Sequence, residues 1–207
     1  MRNLAMSCPV AFVDVDTQVD FMDPKGNLYV PGAETLVENL RALVNLALKR
    51  RIPLLSSVDT HVPDDPEFKV FPPHCVRGTP GHAKIRETTV SDSRWVGMRP
   101  ENVSLKPGQA LLIEKHIYSL FDNPNTPGIL AQLDAGEYVV FGVATDYCVR
   151  AAALGLREHG LKTTVITDAI KPVTEEGGRK AREEMRNAGV RFATTQEVLA
   201  AWDRDAR

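Results

Sequence analysis

The sequence predicts a three-layer α/β/α fold with a mainly parallel central sheet. Two observations carry that prediction. Short apolar runs alternate along the chain with segments of helical periodicity, the pattern of a parallel sheet covered on both faces. Several of those runs also end abruptly in a charged or nucleophilic residue, and ligands of open α/β sheets bind outside the carboxyl ends of the strands. Taken in order, residues 10–15 read as a β-rich run ending in a carboxylate. Residues 34–49 carry a helical stripe of Leu36, Leu40, Leu43, Val44 and Ala47. Residues 52–58 read as a strand, and residues 62–107 form a long segment rich in proline and charge. A segment of that kind in a compact domain is usually functional, and it is read as an active-site cover. Strands follow at 111–113 and 138–141, and a helix at 149–158. A strand at 161–167, a polar-faced helix at 175–187, a strand at 190–194 and a closing helix at 196–202 complete the alternation, with Trp202 as core packing.

Composition agrees with one compact domain over residues 1–207. With 43% hydrophobic residues the chain can bury a full core. A net charge of −2 gives no reason to expect nucleic-acid or anionic-membrane partners. The three cysteines, Cys8, Cys75 and Cys148, are too few and odd in number for a disulfide framework. Neither a secretory signal nor a transmembrane stretch is evident, so a cytoplasmic location is expected.

Three segments carry chemistry. Cys148 lies in Gly142-Val143-Ala144-Thr145-Asp146-Tyr147-Cys148-Val149, between a strand and the start of a helix. Unpaired N–H groups and the positive end of the helix dipole meet there, which favours a thiolate and can hold an oxyanion. A buried packing cysteine is the competing reading. Asp16 stands at the end of the first strand in Val13-Asp14-Val15-Asp16-Thr17-Gln18-Val19-Asp20-Phe21. Asp14 competes with it, because alternation puts the two on one side, and Asp20 could cap a local turn. Lys115 ends Leu111-Leu112-Ile113-Glu114-Lys115. A carboxylate, an ammonium and a thiol thus stand at the ends of three different strands.

A fourth segment could hold a metal ion, although Asp-x-His is also common without one. In Asp59-Thr60-His61, residues two apart on an extended chain point the same way. The loop Phe71-Pro72-Pro73-His74-Cys75 can bring His74 back to them. A carboxylate with imidazoles suits Zn²⁺, Mn²⁺ or Fe²⁺.

On these segments the chain resembles the isochorismatase-like cysteine hydrolases, and within them the nicotinamidase branch. The match covers Asp16, Gln18, Asp20 and Phe21, then Lys115, then Gly142 through Val149, and runs from about residue 10 to about residue 198. The resemblance implies a Rossmann-like central sheet, with Asp16, Lys115 and Cys148 as base, cation and nucleophile of an amide hydrolase. It implies an oxyanion hole from the N–H groups of Ala144 and Cys148, with a cis Val143–Ala144 bond. It also implies Phe21 and Phe71 beside a substrate ring, and one divalent ion on Asp59, His61 and His74 with Glu67 as a further ligand. No organic cofactor is implied; the partners are a small-molecule amide and further copies of the chain in a homo-oligomer. Three places depart from the branch pattern: Phe71, where Trp is common, the stretch 82–85, and the stretch 119–124. An N-carbamoyl or ureido substrate is therefore an open alternative, as is a non-catalytic binding role, against which the intact Asp16, Lys115 and Cys148 set speaks.

Overall fold

A computed structural model describes residues 9–204, so Cys8 lies outside the described residues. Seven strands form one sheet: β1 (Ala11–Val15), β2 (Leu54–Asp59), β3 (Arg94–Val96), β4 (Ala110–Lys115), β5 (Tyr138–Val143), β6 (Thr163–Lys171) and β7 (Arg191–Ala193). Their order is β3-β4-β2-β1-β5-β6-β7. Every neighbouring pair is parallel. The helices are α1 (Val19–Met22), α2 (Val37–Arg50), α3 (Thr126–Leu133), α4 (Arg150–Glu158), α5 (Glu175–Asn187) and α6 (Thr195–Arg204).

The central strands are buried on both faces, which is why they read as unbroken apolar runs. Val13, Val15, Val140 and Val165 meet Ile129 of α3, Leu156 of α4 and Met185 of α5 on one face. Phe12, Val139 and Phe141 meet the Leu40, Leu43, Val44 and Ala47 stripe of α2 on the other, where Trp202 of α6 also packs. The α5 helix starts where Thr174 accepts the Gly177 N–H at 3.0 Å, a cap worth about 1 kcal/mol.

The chain first lays β2, β3 and β4 on one side of β1 and then β5, β6 and β7 on the other. The switch point of the topology therefore lies between β1 and β5, where a crevice opens at the strands' carboxyl ends. Gly142 lets β5 close against β1 there. Its φ is 118°, and a Cβ would stand 2.1 Å from the Val15 carbonyl oxygen.

Three elements were not foreseen, the short α1 among them. The cover segment contains β3 at the sheet edge, besides helical turns at Pro66–Lys69, Pro80–His82 and Arg86–Thr88. The α3 helix begins at Thr126-Pro127-Gly128, where Pro is well suited to the first turn of a helix. Residues 33–36 form a separate tight turn before α2, and β6 continues to Lys171. Among the described residues no helix is long and apolar enough to cross a membrane.

Candidate active site

Four adjacent strands, β4-β2-β1-β5, deliver one chemical group each to the switch point. Lys115 ends β4 and Asp59 ends β2, while Asp16 follows β1 and Cys148 lies just beyond β5. All four are buried. The Lys115 ammonium sits at the centre. Its Nζ is 2.9 Å from Asp16 Oδ2, 2.9 Å from Asp59 Oδ1 and 3.7 Å from Cys148 Sγ. Asp16 leaves the strand with a positive φ of 47°. Ser57 Oγ donates to its Oδ1 at 2.7 Å and accepts its backbone N–H at 3.2 Å, which fixes the carboxylate. Asp14, the competitor, is committed elsewhere: it pairs with Lys84 at 2.8 Å and accepts from Thr17 and Ser56 hydroxyls. Asp20 accepts the Asn27 N–H and the Cys75 N–H, so it joins two loops rather than capping one turn.

Cys148 sits in a wide π-helical turn, Thr145–Val149, that precedes α4. Single π turns of this kind are frequent at functional sites. The Val143–Ala144 peptide is cis. Asp146 does not cap its own helix; it accepts from the Val173 and Thr174 N–H groups and ties the cysteine turn to the start of α5.

The electrostatics correct one expectation. The helix-start position alone favours a thiolate, yet burial pushes the Cys148 thiol well up. Lys115 opposes this, but the Asp16 and Asp59 carboxylates reinforce it. Burial and the two carboxylates therefore favour the thiol form. Burial works against charge on Lys115, and the Asp16 and Asp59 carboxylates outweigh it, holding the ammonium well above its ordinary value. Burial likewise opposes the Asp59 charge, which Lys115, His61 and His74 hold well below the usual carboxylate range.

The second face of Asp59 meets the imidazoles. Its Oδ2 is 3.0 Å from His61 Nε2 and 3.4 Å from His74 Nε2. Ligand atoms of these three residues all lie within 4.8 Å of one another. His74 Nδ1 donates to the Pro72 carbonyl at 2.8 Å. A carbonyl only accepts, so in the neutral ring the Nε2 lone pair faces a carboxylate oxygen. Two acceptors turned on each other are satisfied by a cation between them, and the residues fit a divalent metal. His61 Nδ1 is held at 3.0 Å by Asp65, a partner the sequence reading did not single out. Burial lowers the His61 pKa, but hydrogen bonding to Asp59 outweighs it and pushes the metal-free imidazole up to about 9. Glu67 groups with His61 and Asp65 rather than with the Asp59, His61 and His74 set.

A cleft with about 640 Å³ of empty space, its open mouth included, lies between Cys148 and this cluster. Phe21 and Phe71 line it, their ring centroids 5.5 Å and 6.3 Å from that of His74. Ala144, Tyr118, Tyr147 and Val173 complete much of the wall, and the acidic side chains on it are Asp59 and Glu67. Ile117, Tyr118 and Val173 were not foreseen, since single apolar residues in loops carry no local signal. Ser57 had one: a Ser56-Ser57 pair inside a fully buried strand needs polar partners.

A parallel sheet with reactive groups gathered at its switch point is the architecture of an α/β enzyme with its site at the strand ends. An isochorismatase domain matches residues 10–197, and the chain belongs to that family. It is 30% identical over 192 residues to the nicotinamidase/pyrazinamidase of Mycobacterium tuberculosis, spanning 87% of this chain and 96% of that one. The structure of the pyrazinamidase of Pyrococcus horikoshii in complex with zinc is similar at a TM-score of 0.76 and 28% identity, covering 90% of this chain and 99% of that one. N-carbamoylsarcosine amidase of Thermoplasma acidophilum is similar at a TM-score of 0.72 and 25% identity, covering 91% and 97%.

Proposed function

We propose that the protein, a hydrolase of amide carbon–nitrogen bonds, converts nicotinamide to nicotinate and ammonia through a thioester on Cys148. The observation that carries this reading is the position of Lys115, which joins Asp16, Asp59 and Cys148 through one ammonium. An amide is a poor electrophile, and covalent catalysis divides its hydrolysis into two easier steps. Asp16 takes the Cys148 proton as the sulfur attacks the carbonyl carbon. The N–H groups of Ala144 and Cys148, two residues of the cleft wall, receive the oxyanion. Collapse breaks the C–N bond, and Asp16 returns the proton to the departing ammonia. Asp16 then removes a proton from water, which attacks the thioester, releases the acid and restores the thiol. Lys115 stays charged throughout and limits the cost of proton transfer between buried groups.

Asp59, His61 and His74 would hold one divalent ion, Zn²⁺, Mn²⁺ or Fe²⁺, which supplies a Lewis-acidic position for a pyridine nitrogen when bound. Phe21 and Phe71 flank the ring. The charge of the cleft bears on the alternative substrates. An N-carbamoyl amino acid or a ureido acid carries a carboxylate, and no lysine or arginine is among the cleft's lining side chains. No cationic side chain on that wall would pair with such an anion, so a neutral carboxamide fits better. Ammonia release from nicotinamide, benzamide and a ureido acid tests this. Nicotinamide is expected to be far the best, since benzamide lacks the ring nitrogen. Equal rates on nicotinamide and benzamide, or turnover of the ureido acid alone, would contradict the reading. The reaction would return the pyridine ring to nucleotide salvage.

A further inference from the structure

Gln18 is fully buried and does not line the cleft, yet every polar atom of its side chain is used on the residues around Asp59. Its Oε1 accepts the Asp59 backbone N–H at 2.8 Å. Its Nε2 donates to the Asp59 carbonyl at 2.8 Å and to the His82 carbonyl at 2.9 Å. Only this orientation of the amide satisfies two carbonyls and one N–H. The need for it follows from the sheet. The pairing of β1 with β2 stops at Val15 and Ser57, so Asp59 extends past its neighbour and its peptide has no strand partner on that side. On the other side Asp59 still pairs with Lys115 of β4. The Gln18 amide gives Asp59 the in-and-out pair of bonds that a strand residue would give. The second Nε2 proton fastens the same point to the cover segment at His82, beside the isolated bridge between Gln18 and Lys84.

We propose that Gln18 is a positioning residue for the metal site: its side-chain amide continues the sheet by one residue and fixes the carboxylate that Lys115 shares with the imidazoles. Asp59 has one oxygen on Lys115 and the other facing His61 and His74, so a small rotation of its backbone misaims both. This inference rests on the metal reading above, although its test needs no substrate.

The test is zinc affinity, measured by competition with a chromophoric chelator on the full chain, together with the visible spectrum of the cobalt-loaded protein. Gln18→Glu keeps the shape but loses both donors and turns its oxygens on two carbonyls. Gln18→Met keeps the length and leaves the Asp59 peptide unpartnered. Zinc binding is expected to weaken by roughly 10- to 100-fold in both, the usual effect of losing a partner behind a ligand, and the cobalt bands to shift. Folded variants with wild-type zinc affinity and an unchanged cobalt spectrum, even with a lowered Tm, overturn the proposal and leave the metal reading standing. A wild-type protein that binds no zinc overturns both. If neither variant folds, the Gln18 side-chain amide resonances of the wild-type protein decide: they are expected to shift on zinc titration, and resonances that stay fixed overturn the proposal.

Discussion

Two buried lysine–aspartate pairs stand side by side at the end of β1, and they do different work. Asp14 pairs with Lys84 at 2.8 Å, and hydroxyls of Thr17 and Ser56 complete its shell. Neither residue of that pair lines the cleft. Two residues on, Asp16 pairs with Lys115 at 2.9 Å, but this ammonium also serves Asp59 and stands 3.7 Å from a thiol that faces the cleft. Burial of charge is common to both pairs and so identifies neither as a site. What separates them is sharing. The Lys84 pair is closed on itself and fastens the cover segment to the sheet. The Lys115 pair divides one positive charge among two carboxylates and a thiol, an arrangement open to proton transfer between them.

The largest expected effect breaks the reactive pair. Cys148→Ala and Asp16→Asn should each lower kcat/KM by on the order of 10⁴-fold or more, as removal of one member of a catalytic unit does. Asp14→Asn should leave kcat of the folded protein near wild type. Steady-state ammonia release on the three variants compares them directly.

The lysines come next. Lys115→Met and Lys84→Met each strand buried carboxylate charge, and each should destabilise the fold by about 3–5 kcal/mol in denaturant titrations. Only Lys115→Met should also lower kcat of the folded fraction, by roughly 10²–10⁴-fold. Equal losses of kcat in the two variants would erase the distinction drawn here.

Metal content sharpens the picture further. Purified protein should carry near-equimolar divalent metal, and a His61→Ala, His74→Ala double variant should carry none. Chelation should remove nicotinamide turnover and zinc or manganese should restore it. A smaller effect concerns pH. In the metal-free protein His61 is raised from 6.5 to about 9. The stabilisation it gives the metal-free fold is fully present below 6.5 and is lost as pH rises through about 9. The metal needs the neutral ring, so zinc uptake should release a proton at neutral pH, and apparent affinity should climb up to that same pH and then level. Calorimetry in buffers of different ionisation enthalpy measures the released proton.

The smallest contrast is between two thiols. Burial pushes both Cys75 and Cys148 up, so iodoacetamide should label both slowly at neutral pH. Cys148, slightly exposed on the cleft wall, should still react ahead of the fully buried Cys75.

Much of this arrangement was legible in the sequence because parallel strands announce themselves as apolar runs and end where the chemistry begins. Asp16, Lys115 and Cys148 each follow such a run, and Asp59 and His61 follow another. The choice between Asp14 and Asp16 came from the family resemblance and not from strand pattern. Alternation places them together, and only the positive φ at Asp16 and the arrival of Lys84 from the cover segment separate them. Asp65 was hidden for a similar reason, since its bond to His61 depends on the fold of a charged loop. The state of Cys148 was misread from local structure: a helix start favours the thiolate, whereas burial and the carboxylates beside it, brought in from other strands, favour the thiol. The β3 strand has only three residues, too short for its periodicity to stand out.

The central claim is that Cys148 carries the acyl group. Wild-type protein mixed with nicotinamide, quenched in acid during turnover and digested should yield a pyridine-3-carbonyl thioester on the peptide containing Cys148, absent from Cys148→Ala and removed by hydroxylamine. Steady ammonia release by Cys148→Ala at the wild-type rate, with no acylated peptide in either protein, would contradict it.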